Sequence, residues 1–339
     1  MSVRRRSRLP FLVIFAALLF GWAGCKSACG GGGESIDIDG SSTVYPITAT
    51  IEEAFRSETS SRVNIGVSGT GGGFQKFCKG ETDISDASRP ITSGESEKCQ
   101  KNGVEFIELP IAYDGISVVV HPENDWVGKL TVAELQKLWS PEAQGEITRW
   151  SQLREGWPDE KIELYGPGTD SGTYDYFVEA IIGEDGSTRM DFNQNEDDNV
   201  LVRGVSRSKY ALGFFGFAYY EQNKEQLKVV SVEDGVAETG EGAVEPTRQT
   251  IAEGAYQPLS RPLFIYVNKK SADRKLVEKF VDFYLSSAAE QVPEAGYVPL
   301  PESTYGLVRE RFEGRTTGSL FEGGAEVGVT VETLLQEAK

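Results

Sequence analysis

Val63-Asn64-Ile65-Gly66-Val67-Ser68-Gly69-Thr70-Gly71-Gly72-Gly73-Phe74-Gln75-Lys76-Phe77 is the stretch that sets the fold class. Residues 63–67 alternate apolar with polar or small side chains, the period of a strand. Ser68-Gly69-Thr70 breaks that alternation, and Phe74 to Phe77 resumes with helix-compatible spacing. The same order returns about a hundred residues later. Ile162-Glu163-Leu164-Tyr165 reads as a strand, Ser171-Gly172-Thr173 as the turn, and Tyr174-Asp175-Tyr176-Phe177 as the start of a helix. A junction of this kind turns backbone N–H groups and hydroxyls towards one point. The first-turn N–H groups lack intrahelical partners and carry the positive end of the helix dipole, so the junction suits an anion. Two such junctions predict two lobes that close on one small anion.

Outward from these segments the chain alternates strands and helices. Residues 36–39 alternate as a short strand and run into Gly40-Ser41-Ser42-Thr43, a third turn of the same chemistry. Residues 47–58 carry a helical apolar stripe at Ile47, Ile51, Ala54 and Phe55. Residues 83–90 read as a turn-rich link. Residues 104–109 and 116–120 read as two strands, the second uniformly apolar as if buried on both faces. Thr131-Val132-Ala133-Glu134 fits a capping box ahead of a helix ending near Trp139. Further strands are expected at 212–217 and 263–267, and further helices at 199–206, 272–286 and 327–338. This order implies an α/β architecture with largely parallel sheets, whose ligands bind at the carboxyl ends of strands, where the Ser-Gly-Thr turns lie.

The N-terminus carries a processing signal. Arg4, Arg5, Arg6 and Arg8 precede an apolar run over 9–23, about the length of a signal peptide and shorter than a membrane span. Trp22-Ala23-Gly24-Cys25 then places small residues before a cysteine, the pattern of a lipid-modified N-terminus. Residues 1–24 are accordingly read as a signal peptide, Cys25 as the lipidation site and 25–35, with Gly30 to Gly33, as a flexible tether. In an exported chain Cys78 and Cys99, on successive predicted helices, are expected to pair; Cys29 has no evident partner.

With four of its 34 basic residues in the leader and all 52 acidic ones beyond it, the remaining chain carries a net charge of about −22. So acidic a surface argues against nucleic acid or an anionic membrane surface as partner. Local donors, not net charge, must then attract an anion. Catalytic signatures are absent from the sequence. The single histidine, His121, leaves no Ser-His-Asp set, neither Ser-Gly-Thr segment fits Gly-x-Ser-x-Gly, and no Gly-Lys-Ser/Thr follows the glycines at 69–73. No Cys-x-x-Cys pair supports a metal site, and no cofactor is expected.

Gly40 to Pro46, Ser68 to Phe74, the segment GETDISDASRPI over 80–91, and Gly166 to Thr173 together resemble the periplasmic phosphate-binding proteins of bacterial ABC phosphate importers. The similarity runs in the family's order from about residue 36 to about residue 301. It implies a two-lobe type II periplasmic-binding-protein fold, each lobe a mostly parallel sheet flanked by helices, with 36–113 and 260–320 in lobe one and 114–259 in lobe two. Residues 321–339 would form a C-terminal tail, and hinges would lie near 112–115 and 258–262. It further implies a monomeric, extracytoplasmic receptor, lipid-anchored in the periplasm or at the cell surface. Such a receptor captures inorganic phosphate and hands it to a permease and ATPase complex without catalysis. Alternatives are another oxyanion, a phosphate-sensing surface protein or a secreted phosphatase.

Carried over by position, Ser42, Thr43 and Val44 match the first phosphate-contacting turn, Ser68, Thr70 and Gly71 the second, and Ser171, Gly172 and Thr173 the third. The family's pattern has an aspartate where this chain has Ser88, and an arginine where it has Pro167. Arg89 is the expected replacement for that arginine. Asp114 is the expected acceptor of the phosphate proton, with Asp86 and Asp170 as the next candidates.

Overall fold

The strand β4 (Phe106–Val120) is the axis of the molecule, and all 15 of its residues are buried. The computed structural model describes residues 34–169, 171–183, 186–235, 242–321 and 330–338. The signal peptide, Cys25, Cys29, most of the tether, Asp170 and part of the C-terminal tail lie outside the described residues. The first half of β4 pairs with β11 (Ser260–Asn268), and the second half with β8 (Ala211–Gly216) and β9 (Lys228–Val229), all antiparallel. The two strands expected at 104–109 and 116–120 are therefore one. The residues between them stay extended because β11 and β12 (Val298–Pro299) supply ladder partners on both sides of a bulge at Ile111.

On one side of this axis lie β3 (Ile84–Ala87), β1 (Ser35–Gly40) and β2 (Arg62–Val67); on the other, β8, β6 (Glu163–Gly166) and β7 (Asn193–Gln194). Each outer group is parallel, β1 to β2 and β3, and β6 to β7 and β8, whereas the antiparallel pairs run through β4 and β11. A separate parallel pair joins β5 (Lys129–Thr131) to β10 (Ser231–Glu233). Parallel neighbours need crossovers, and helices Tyr45–Glu58 and Gly69–Phe77 provide them in the first group. Helix Lys275–Glu294 packs on Tyr45–Glu58, with Phe55 against Phe280 and Phe283 at 5.2 and 5.4 Å. In the second group Phe214 stacks on Phe177 at 3.8 Å and meets the edge of Trp139.

The segment 83–90, expected to be a link, contains β3. Ile84-Ser85-Asp86-Ala87 looks like a turn by composition, yet all four residues are buried between β1 and β11. Strand preference here is set by neighbours rather than by the residues themselves. Beyond the sheet, the Sγ atoms of Cys78 and Cys99 are 2.02 Å apart, at bonding distance. The described end of the tail, Val331–Glu337, packs on helix Glu302–Glu313 through Val331 and Leu335.

Candidate phosphate site

Gly40 of β1 lies opposite Val67 of β2 and Asp86 of β3. The turns that follow these strands, 41–44, 68–71 and 88–90, therefore leave one edge of the sheet together. Ser41 Oγ accepts from the backbone N–H of Thr43 and Val44 at 3.2 and 3.4 Å, which holds the first turn. Val44 is buried and caps helix Tyr45–Glu58. From the other half, Ser171 caps helix Gly172–Phe177, its Oγ accepting from the N–H of Thr173 at 3.2 Å.

The first and third turns meet. The Thr43 hydroxyl donates to the carbonyl of Gly172 at 3.4 Å. A Cβ on Gly172 would come within 2.7 to 2.9 Å of Thr43 Oγ1, Cα and N, so glycine is what permits this approach. Ser42, Asp114 and Ser171 to Thr173 line a cavity of about 390 Å³ beside that contact.

The second turn is arranged differently. The Ser68 hydroxyl donates a hydrogen bond to Asp39, whose other oxygen accepts from Lys76 Nζ at 2.5 Å. Thr70 Oγ1 accepts from the N–H of Ser88 at 3.2 Å and lies 3.0 Å from its hydroxyl. Arg89 forks onto Glu95 at 2.9 and 3.0 Å, and its own next carbonyl, Pro90 O, takes a third contact. Gly71 is its near neighbour: a Cβ there would sit 4.0 Å from Arg89 Nη2. The expected anion-binding guanidinium is thus engaged by Glu95, the acid that completes the Thr92 capping box of helix Ser93–Lys101.

The cation at the contact between the turns is Arg261, which the sequence reading missed. It stands directly opposite Asp114 across the β11–β4 ladder. Its Nη2 donates to Thr43 Oγ1 at 3.3 Å, its Nη1 to Glu179 at 3.0 Å, and its Nε lies 3.5 Å from Asp114 Oδ2. The Tyr176 ring lies flat against it at 3.6 Å and is itself fixed by a hydrogen bond from its hydroxyl to Pro258 O. Both Arg261 Nε and Asp114 Oδ2 are buried and have no hydrogen-bond partner. Burial raises the Asp114 carboxyl above its ordinary range, against the lowering effect of Arg261. The signal that would have found Arg261 is repetition: Ser260-Arg261-Pro262 copies Ser88-Arg89-Pro90.

Of the other carboxylate candidates, Asp86 points into the core without a partner, and burial pushes it up to about 7. His121 accepts from the N–H of Glu123 and takes no part in the site.

Residues 27–288 match the PBP superfamily domain. The chain is 47% identical over 328 residues to Protein SphX of Synechocystis, covering 96% of each. It is 40% identical to the phosphate-binding protein PstS of Staphylococcus aureus, covering 86% of each. The chain belongs to the phosphate-binding protein family. A crystal structure of a possible phosphate binding protein from Planctomyces limnophilus is 43% identical to it, with a TM-score of 0.79 over 84% of this chain and 99% of that one. Membership in this family accounts for the two-lobe fold and for turns converging from both halves of the sheet. No helix among the described residues is long and apolar enough to cross a membrane.

Proposed function

We propose that this chain is an extracytoplasmic receptor that binds inorganic phosphate between its lobes and delivers it to an ABC permease. The observation that carries the assignment of the site is the Arg261–Asp114 pair. A buried guanidinium N–H and a buried carboxylate oxygen, paired only with each other at 3.5 Å and without a hydrogen bond, face each other beside Thr43 and the Ser171–Thr173 turn. A protonated oxyanion answers both at once, since its P–O oxygens accept from Arg261 and its P–OH donates to Asp114. Thr43 and Thr173 hydroxyls and the first-turn N–H groups complete the set.

This arrangement also gives selectivity. Sulfate carries no proton at neutral pH, so against sulfate Asp114 is a buried acceptor facing another, and polar groups left unpaired are costly. The leader, Cys25 as a lipid anchor, and the Cys78–Cys99 pair as a disulfide fit the same extracytoplasmic role. Titration calorimetry with phosphate, arsenate and sulfate on the protein without its leader tests the reading. Phosphate is expected to bind well ahead of sulfate. Asp114→Asn should weaken phosphate about tenfold to a hundredfold and sulfate far less, and equal losses for both would remove Asp114 from its role.

A further inference from the structure

Among the described residues, the carboxylates around Arg261 outnumber the cations that face them. Arg261 contacts Glu179 on one edge and Asp114 on another. Asp175, one turn before Glu179, senses the same guanidinium, and burial raises its carboxyl. The cavity beside the Ser171–Thr173 turn adds Glu196 and Asp198, with Tyr219 and Tyr297, and no lysine, arginine or histidine lines it among the described residues. Arg89 faces Glu179 from the rim, but Glu95 already holds it. Tyr176 and Tyr256 hydrogen-bond to backbone carbonyls, Tyr174 at the rim pairs with the Thr188 hydroxyl, and Tyr45 lines the cavity.

Resting on the phosphate reading above, we infer that phosphate enters this cleft with net uptake of one proton, because Glu179 already occupies one edge of Arg261. A dianion at Arg261 would be the third anionic group around one guanidinium. Arg261 and Asp114 are largely secluded from water although Glu179 is exposed, so repulsions at the guanidinium are stronger than in bulk. One solvent proton relieves them, forming an O–H bond either on the phosphate, as the monoanion, or on a cleft carboxyl, so that HPO₄²⁻ and H⁺ are consumed together. The whole protein, at net −18, acts in the same direction. Asp198 already shows the tendency: burial, with Asp197 and Glu196 nearby, pushes it up to about 7.

The test is phosphate titration by calorimetry at pH 8, where free phosphate is almost wholly dianion, in two buffers of different ionisation enthalpy. The buffer dependence of the heat counts protons. About one proton taken up per phosphate is expected, with affinity falling as pH rises from 6 to 8. Glu179→Gln should cut the count below half and tighten binding at pH 8 by about threefold to tenfold. No uptake, proton release, or a count unchanged in Glu179→Gln would overturn the inference. Absence of phosphate binding at every pH would instead defeat the phosphate reading itself, so the two failures are distinct.

Discussion

Ser88-Arg89-Pro90 and Ser260-Arg261-Pro262 are the same tripeptide, and the fold sends their arginines to different work. The first copy follows the carboxyl end of β3, where the chain has left the sheet. Arg89 there takes local hydrogen-bond partners, Glu95 and Pro90, and has a side chain 34% exposed. The second copy opens β11 inside the sheet. Its arginine has a fixed cross-strand partner in Asp114, a ring beneath it and a side chain only 12% exposed. A guanidinium becomes an anion site when the backbone holds it and its N–H groups remain in need of partners. Sequence identity does not confer that.

The sharpest way to break this comparison is to remove the second arginine. Arg261→Ala deletes charge-assisted hydrogen bonds that contribute about 1.5–3 kcal/mol each. Two of them predict phosphate binding weaker by about a hundredfold or more in calorimetry. Arg261→Lys keeps the charge without the fork and should fall between, at about tenfold. Either variant binding like the parent would show that Arg261 serves Asp114 and Glu179 alone.

Each copy also has a buried aspartate close by, and the second prediction separates them. Asp114 faces a guanidinium, whereas Asp86 lies opposite Ile265 with no hydrogen bond to its carboxyl group. Burial raises Asp86 from 3.8 to about 7, so the folded chain holds a proton that the unfolded chain releases. The contribution is present below about pH 4 and is lost as pH rises through about 7. Asp86→Asn, which cannot ionise, should flatten this part of the pH dependence by several degrees in thermal unfolding between pH 5 and pH 8. Phosphate affinity should stay within twofold. An unchanged pH slope would mean that Asp86 is ionised and solvated in the native protein.

What the sequence revealed, and what it hid, follows the same division. The three Gly/Ser/Thr turns and their flanking elements were legible because each depends on residues within about ten positions of itself. Helices Tyr45–Glu58 and Gly69–Phe77, and the Thr131 capping box found by spacing, belong to this class of local signal. Three features were not legible locally. β3 is polar by composition and is a strand only because β1 and β11 flank it. β4 is one strand because β11 and β12 cover its middle. Arg261 faces a buried carboxylate only because Asp114 lies across a ladder 147 positions away in sequence. Pairing partners distant in sequence decide all three; the repeated Ser-Arg-Pro singles out Arg261 in the sequence but not the Asp114 it faces.

The smallest predicted effect concerns Arg89 and is the one that refines the comparison most. All its strong contacts lie within residues 74–95: the fork to Glu95, the Pro90 carbonyl, and the Phe74 ring at 5.8 Å. A partly exposed ion pair of this kind contributes at most about 1 kcal/mol. Glu95 would still accept from the N–H and hydroxyl of Thr92, so the helix start survives without it. Arg89→Ala should therefore lower the thermal midpoint by about two degrees and leave phosphate affinity within about threefold. A tenfold loss would mean that the guanidinium leaves Glu95 when the anion arrives. The two copies would then differ in when they engage phosphate rather than in whether they do. Combining Arg89→Ala with Arg261→Ala distinguishes these cases. Independent roles give losses that add in free energy, whereas a shared anion makes the second substitution cost less once the first has removed the ligand's anchor.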